Sequence, residues 1–212
     1  MKKQVIFYGL LHINDFDTNL NFKFNDQNHK INTYFLNSLL LAKSLNEKNF
    51  KFVLLTNNKN FLEKKNKHNF KIDIEEIHFN TEVIRESHFS SCHYRIDVFK
   101  YLSQKKEYSA LIDLDVVAVG DLSIKIEKII DNNNAIFVND ITDNVIPAYG
   151  KEKIQKNLDL VLGERSKNRW YGGDIFFGHP KFFEELCNCV NITYNNFKKN
   201  FQVLKDQTDE LF

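Results

Sequence analysis

Strand-length apolar runs alternate with segments of helical period along most of this chain, and that alternation restricts its fold more than any other feature. Val5–Tyr8, Phe50–Thr56, Ile72–Phe79, Ser109–Val119, Ala135–Asn139 and Asp174–Phe177 read as strands. Thr33–Lys48 reads as a helix: Phe35, Leu39, Ala42 and Leu45 recur at helical spacing among good helix formers. Tyr94–Gln104 repeats the pattern through Ile96, Phe99 and Leu102. Lys59–Asn66, Ser123–Asp131, Lys151–Leu162 and Lys181–Asn191 are further helices, the last beginning after Pro180, a residue suited to a helix's first turn. Polar residues break every apolar run in Asn14–Lys30, which reads as a loop or irregular hairpin. Strands alternating with helices imply an α/β layer architecture with a mostly parallel central sheet flanked by helices. Sheets of that kind hold ligands beyond the carboxyl ends of their strands.

The 212 residues suit one such domain, spanning 1–212. Hydrophobic residues make up 42% of the chain, with 20 Phe, which is enough for a sizeable core and unlike a disordered segment. A net charge of +1 lacks the basic balance of a nucleic-acid binder. Lys59, Lys64, Lys65, Lys67, His68 and Lys71 form one local basic cluster. It reads first as a solvated helix face and loop, and more sharply as a patch that touches an anionic membrane surface. Three cysteines, Cys92, Cys187 and Cys189, argue against a disulfide framework and for a reducing compartment. The expected location is therefore cytoplasmic, with peripheral contact at the inner face of the membrane if the basic patch is used. No apolar run reaches the length of a membrane span. Met1–Leu11 lacks a long apolar core and a small-residue cleavage site, so it reads as the first strand rather than a signal peptide.

Chemistry concentrates where the strand Ala110-Leu111-Ile112 runs into Asp113-Leu114-Asp115. In an extended chain, residues two apart project to the same side about 6.6 Å apart. Asp113 and Asp115 then converge while Leu114 points the other way into packing. Paired carboxylates repel unless a cation sits between them or one is protonated. Hard oxygen ligands suit Mg2+ or Mn2+, which also take phosphates and water. The bland alternative is a strand end whose acids simply face water.

Together with the Val116–Val119 run and Gly120-Asp121-Leu122, this segment resembles the metal-binding region of GT-A glycosyltransferases, the nucleotide-sugar-using kind. Upstream, His93–Leu102 resembles the helix these enzymes place before that strand, and Arg95 matches a basic residue that reaches donor phosphates. A salt bridge, with Asp97 for instance, is the competing account of Arg95. Downstream, Trp170-Tyr171-Gly172-Gly173-Asp174-Ile175-Phe176-Phe177-Gly178 resembles the family's small-residue turn leading into a strand, where backbone approaches donor and acceptor sugars. Many relatives carry Asn or Ser where this chain has Gly172. Lys205–Glu210, containing Asp206-Gln207, resembles the segment that closes the sugar pocket in several retaining families. A helix N-cap is the other account of Asp206. Relatives continue past that segment to a His ligand. The expectation is that this chain, ending at Phe212, is truncated, is a short variant, or takes its third ligand elsewhere.

The resemblance implies a single GT-A, Rossmann-like domain. Its donor-binding residues would be Tyr8, Arg95, Asp113, Leu114, Asp115, Gly172 and Gly173, with Asp113 and Asp115 on Mn2+ or Mg2+. Asp174, Asp206 and Gln207 would be the catalytic residues. The donor would be a nucleoside diphosphate sugar, UDP-linked by family analogy, and the acceptor a glycan or lipid-linked hydroxyl in surface-glycan synthesis. Two other readings stay open. A haloacid dehalogenase-type phosphatase also runs an apolar strand into Asp-x-Asp, with Asp113 as nucleophile and Val117 fitting its pattern. A non-catalytic GT-A-like binding module would keep the fold without turnover. His78, His88, His93 and His179 are scattered, and each reads as a structural residue before a ligand.

Overall fold

Val5, Phe7 and Leu11 face one way along the first strand, Ile6 and Tyr8 face the other, and both sets are buried. A strand covered on both faces belongs at the centre of an α/β sheet. The computed structural model describes residues 5–14, 27–66, 70–87, 90–121, 127–128, 130, 136–142, 151–167, 169 and 171–205. Among them the strands are β1 (Val5–Leu11), β2 (Lys51–Thr56), β3 (Asp73–Glu76), β4 (Tyr108–Ile112), β5 (Ile136–Asp140) and β6 (Tyr171–Gly178). They form one sheet in the order β3-β2-β1-β4-β6-β5. β1 pairs in parallel with β2 and β4, and β2 with β3, while β6 runs antiparallel to both β4 and β5.

Helices cover both faces. The helices α1 (Gln27–Asn46) and α2 (Lys59–Lys65) pack on the side of Val5 and Phe7, through Phe35, Leu39, Leu45 and Leu62. On the side of Ile6 and Tyr8 lie α3 (Arg95–Leu102), α4 (Lys151–Leu162), α5 (Pro180–Lys199) and the short α6 (Phe201–Leu204), through Val98, Val161, Phe183, Phe197 and Leu204. The result is a three-layer, Rossmann-like α/β arrangement with a mixed sheet. No helix among the described residues is long and apolar enough to cross a membrane.

Several boundaries differ from the sequence reading. α1 begins at Gln27, inside the expected loop, because Ile31 and Phe35 already bury against the sheet. α5 continues to Lys199, since Tyr194 and Phe197 extend its buried stripe. Of Ser123–Asp131 only residues 127, 128 and 130 are described; they are helical.

The expected strand through Val119 stops at Ile112, and Leu114 and Asp115 form a turn. Packing accounts for the stop. Leu114 is buried with Val5, Phe7 and Ala110, and its Cδ2 lies 2.4 Å from where a Cβ on Gly9 would stand. The turn therefore sits on the sheet only because β1 carries a glycine there. Gly9→Ala should destabilise by about 1–3 kcal/mol through overpacking. The cost should shrink in a Leu114→Ala background, a coupling that urea denaturation of the four proteins measures.

Candidate functional site

The topology brings one set of ends together. β1, β2, β3 and β4 are parallel, so their carboxyl ends share an edge of the sheet. β6 is reversed, which brings its amino end, Tyr171–Asp174, to the same edge, and β5 delivers Asn139 and Asp140 there. α3 leads back into β4, so its first residue, Arg95, stands over this edge too.

Arg95 and Asp113 are the centre of the cluster. Arg95 Nη2 donates to Asp113 Oδ1 at 2.5 Å, and both side chains are only partly exposed. The Asp113 backbone N–H donates to the Asp174 carbonyl at 3.0 Å, extending the β4–β6 ladder past Ile112 and Ile175. A bulge aims the facing strand. Val138 pairs with Phe176 but Asn139 pairs with Gly172, so Gly173, Asp174 and Ile175 leave the β5 ladder. Bulges of this kind re-aim side chains and are common beside active sites. The two glycines make room for it. A Cβ on Gly173 would stand 2.9 Å from Arg95 Nη1, and one on Gly172 would stand 2.3 Å from Asp174 Oδ1. The guanidinium thus lies against bare backbone, and the Asp174 carboxylate folds over Gly172.

Asp115 is exposed on the turn, next to buried Leu114. At the end of β5, Asp140 Oδ1 accepts from the Thr142 hydroxyl at 2.6 Å and backbone N–H at 3.1 Å. These hydrogen bonds hold the Asp140 carboxyl below its usual range, and Arg169 lies 3.9 Å away. Among the described residues no group of three or more His, Cys, Asp or Glu side chains gathers as a metal cluster.

The structure also brings in residues that the sequence did not point to as site residues. His12, just past β1, stacks on Tyr94 with ring centroids 3.8 Å apart, and Phe79, past β3, meets both rings edge-on. Asn57, just past β2, holds this loop with two hydrogen bonds, accepting from Ile13 N at 2.8 Å and donating to Ile13 O at 2.9 Å. Their only sequence signal was position after a strand.

The remaining expected site residues fall as follows. Tyr8 is buried with its ring edge-on to Tyr101, under α3 rather than beside Arg95 and Asp113. Asp206, Gln207 and Trp170, with Lys67, His68 and His88, lie outside the described residues. Asp97 does not pair with Arg95; it accepts the backbone N–H groups of Asn80 and Thr81 at 3.1 and 3.0 Å. His179 caps α5, its Nδ1 accepting from Phe182 N at 3.1 Å, and His93 is buried against Tyr194 and Phe197. Cys187 is buried and Cys189 exposed, so their side chains diverge. No protein-family model and no curated protein matches this sequence.

Two outcomes follow from this geometry. A double-mutant cycle on Arg95→Leu and Asp113→Asn should give a coupling of about 1 kcal/mol, the upper end for a partly exposed pair. Gly173→Ala, which crowds the guanidinium, should lower it; an unchanged coupling in that background would show that the contact with Gly173 does not position Arg95. The second concerns alkaline pH. Burial pushes the Tyr8 and Tyr194 hydroxyls up to about 12. In the unfolded chain they ionise near pH 10, so the folded state holds more protons above that. Their stabilisation is present below about pH 10 and is lost as pH rises towards 12. Tyr8→Phe should flatten part of that fall, read by denaturation together with tyrosinate absorbance.

Proposed function

We propose that this chain is a metal-dependent glycosyltransferase of the GT-A kind, moving a sugar from a nucleoside diphosphate sugar to an acceptor hydroxyl. The observation that carries the reading is the Asp113-Leu114-Asp115 turn at the carboxyl end of a central parallel strand, held by Arg95 and facing the Gly172-Gly173-Asp174 bulge. Nucleotide ligands of open α/β sheets bind in that place.

The donor set fits a small, hard divalent cation. Asp113, engaged by Arg95 through Oδ1, stands at the end of β4, and Asp115, two residues on, is open to solvent. Asp113 and Asp115 would hold Mn2+ or Mg2+, with substrate phosphate and water completing the shell. When bound, the ion supplies charge stabilisation for a departing diphosphate.

The protein's own residues do the rest. Arg95 orients Asp113 and offers its remaining N–H donors to phosphate oxygens, for which a planar guanidinium is suited. The partly exposed His12 ring, stacked on buried Tyr94 with Phe79 at its edge, would offer its outer face to a nucleobase. Gly172 and Gly173 let a sugar approach the backbone of β6. Asp174, beside Gly172 and within reach of the Asn139 strand, is the described carboxylate best placed to receive the acceptor's proton or to hold a sugar hydroxyl. Asp206 and Gln207 keep the role in closing the sugar pocket that the family resemblance implies. UDP as nucleotide, and a glycan or lipid-linked acceptor, rest on that resemblance as well.

The test is thermal unfolding with nucleoside diphosphates and their sugars, in Mn2+, Mg2+ or chelator. UDP at a hundred times its Kd should stabilise the wild type by about 2.7 kcal/mol. Chelator or Asp115→Ala should remove most of that gain. Transfer or hydrolysis of the matching sugar should fall by roughly a hundredfold or more in Asp113→Asn and Asp115→Ala. Absence of stabilisation by any diphosphate under any metal condition would sink the reading.

A further inference from the structure

We propose that the outer face of α1 docks on an anionic lipid surface. A helix that packs one side on a sheet is normally polar on the other. α1 is not. Ile31, Phe35, Leu39, Ala42 and Leu45 bury its inner stripe, yet Leu36 and Leu40, one turn apart on the outside, are 55% and 58% exposed.

Both flanks of the helix extend this apolar strip. On one side Phe70 and Lys71 come up beside Leu39 and Lys43, lining a shallow depression with them, and Phe70 is about half exposed. On the other side Ala118 N donates to Ser44 Oγ at 2.9 Å, which lays residues 116–119 along α1. Val117 and Val119 there are 58% and 90% exposed. Five large apolar side chains, two on the helix and three beside it, thus stand in solvent. Contiguous exposed apolar surface marks an interaction site.

Charge selects the occupant. Lys43 and Lys71 stand within the strip, and Lys65 Nζ reaches Asn32 Oδ1 on α1 at 2.7 Å, with Lys64 next to it. Glu47 is the acid in the same depression, and Asp121 at its far end is engaged by Lys48 at 3.8 Å. Apolar side chains ringed by lysines match the boundary between acyl chains and acidic headgroups, where lysine stems lie flat and their ammonium groups reach phosphate. A two-fold dimer through this face would instead bring two lysine-bearing strips together.

The strip also leads to the candidate site, because 116–119 follows Asp113 and Asp115 directly along the chain. Docked this way, the protein would hold that site beside headgroups, which favours a lipid-linked acceptor. That last step rests on the transferase reading; the docking itself does not.

Vesicle flotation of the full chain, without metal or nucleotide, tests the proposal. The wild type should float with phosphatidylglycerol-containing vesicles at low salt and not with phosphatidylcholine alone. Leu36→Glu with Leu40→Glu should cut the bound fraction at least about tenfold. Lys43→Glu with Lys71→Glu should do about the same, as should high salt. Both pairs are exposed, so wild-type thermal unfolding is expected and checks their folding. No flotation of the wild type, or flotation that survives both pairs, overturns the proposal. So does a concentration-dependent dimer in sedimentation that Leu36→Glu with Leu40→Glu abolishes, since a second copy would then be the occupant. Because no nucleotide is present, failure of the transferase reading would leave a positive vesicle result standing.

Discussion

β1 lies between two parallel partners and is covered on both faces, so its side chains demand helices above and below the sheet. Parallel neighbours cannot be joined by a tight hairpin, and each crossover must return through a helix. The loops that leave β1, β2, β3 and β4 are consequently gathered at one edge. Position after a strand, rather than any shared motif, is what places His12, Asn57, Phe79 and Asp113 near one another.

What distinguishes this edge from a generic one is the reversal of β6. An antiparallel partner for β4 brings the start of a strand, with its two glycines, opposite the end of another with its two acids. The bulge at Gly173–Ile175 then turns that backbone out of the β5 ladder and beneath Arg95. A guanidinium set between one carboxylate and bare peptide is held in place from two sides while 23% of the side chain stays exposed. Arg95 thereby links three elements: α3 by covalent attachment, β4 through Asp113 and β6 through Gly173.

Most of the layer plan was legible in the sequence, because buried strands of four to seven apolar residues and a 3.6-residue period carry a strong signal. α4 was read at its observed bounds, Lys151–Leu162, and β2 and α2 within a residue. The strand order and the reversal of β6 were not legible, since pairing is decided by contacts far apart in the chain. The same holds for the end of β4. Val116–Val119 is as strand-like as the residues before it, but Leu114 is drawn into the gap over Gly9 and the ladder ends. At the site, the acids, the arginine and the glycines were readable as residue types at family-like spacings. The aromatic stack was not, for His12, Phe79 and Tyr94 come together from three segments far apart in the chain. Arg95 illustrates the remaining difficulty: sequence proximity suggested Asp97 as its ion partner, whereas Asp97 is spent on the amides of Asn80 and Thr81.

Leu114 is where stability and chemistry are hardest to separate. Its side chain belongs to the core under α1, while the residues on either side of it are the two candidate ligands. Truncating it would remove buried apolar surface and loosen the turn at once, so lost activity in such a variant would say nothing about ligation. Asp113 has a similar ambiguity, since its carboxylate anchors Arg95 and its amide extends the β4–β6 ladder. Asp115 is free of this problem: it is exposed on the turn and lies outside both core clusters. A change confined to its carboxylate alters what the edge can bind while leaving the packing that builds the edge in place, which makes it the residue on which the metal and nucleotide reading turns.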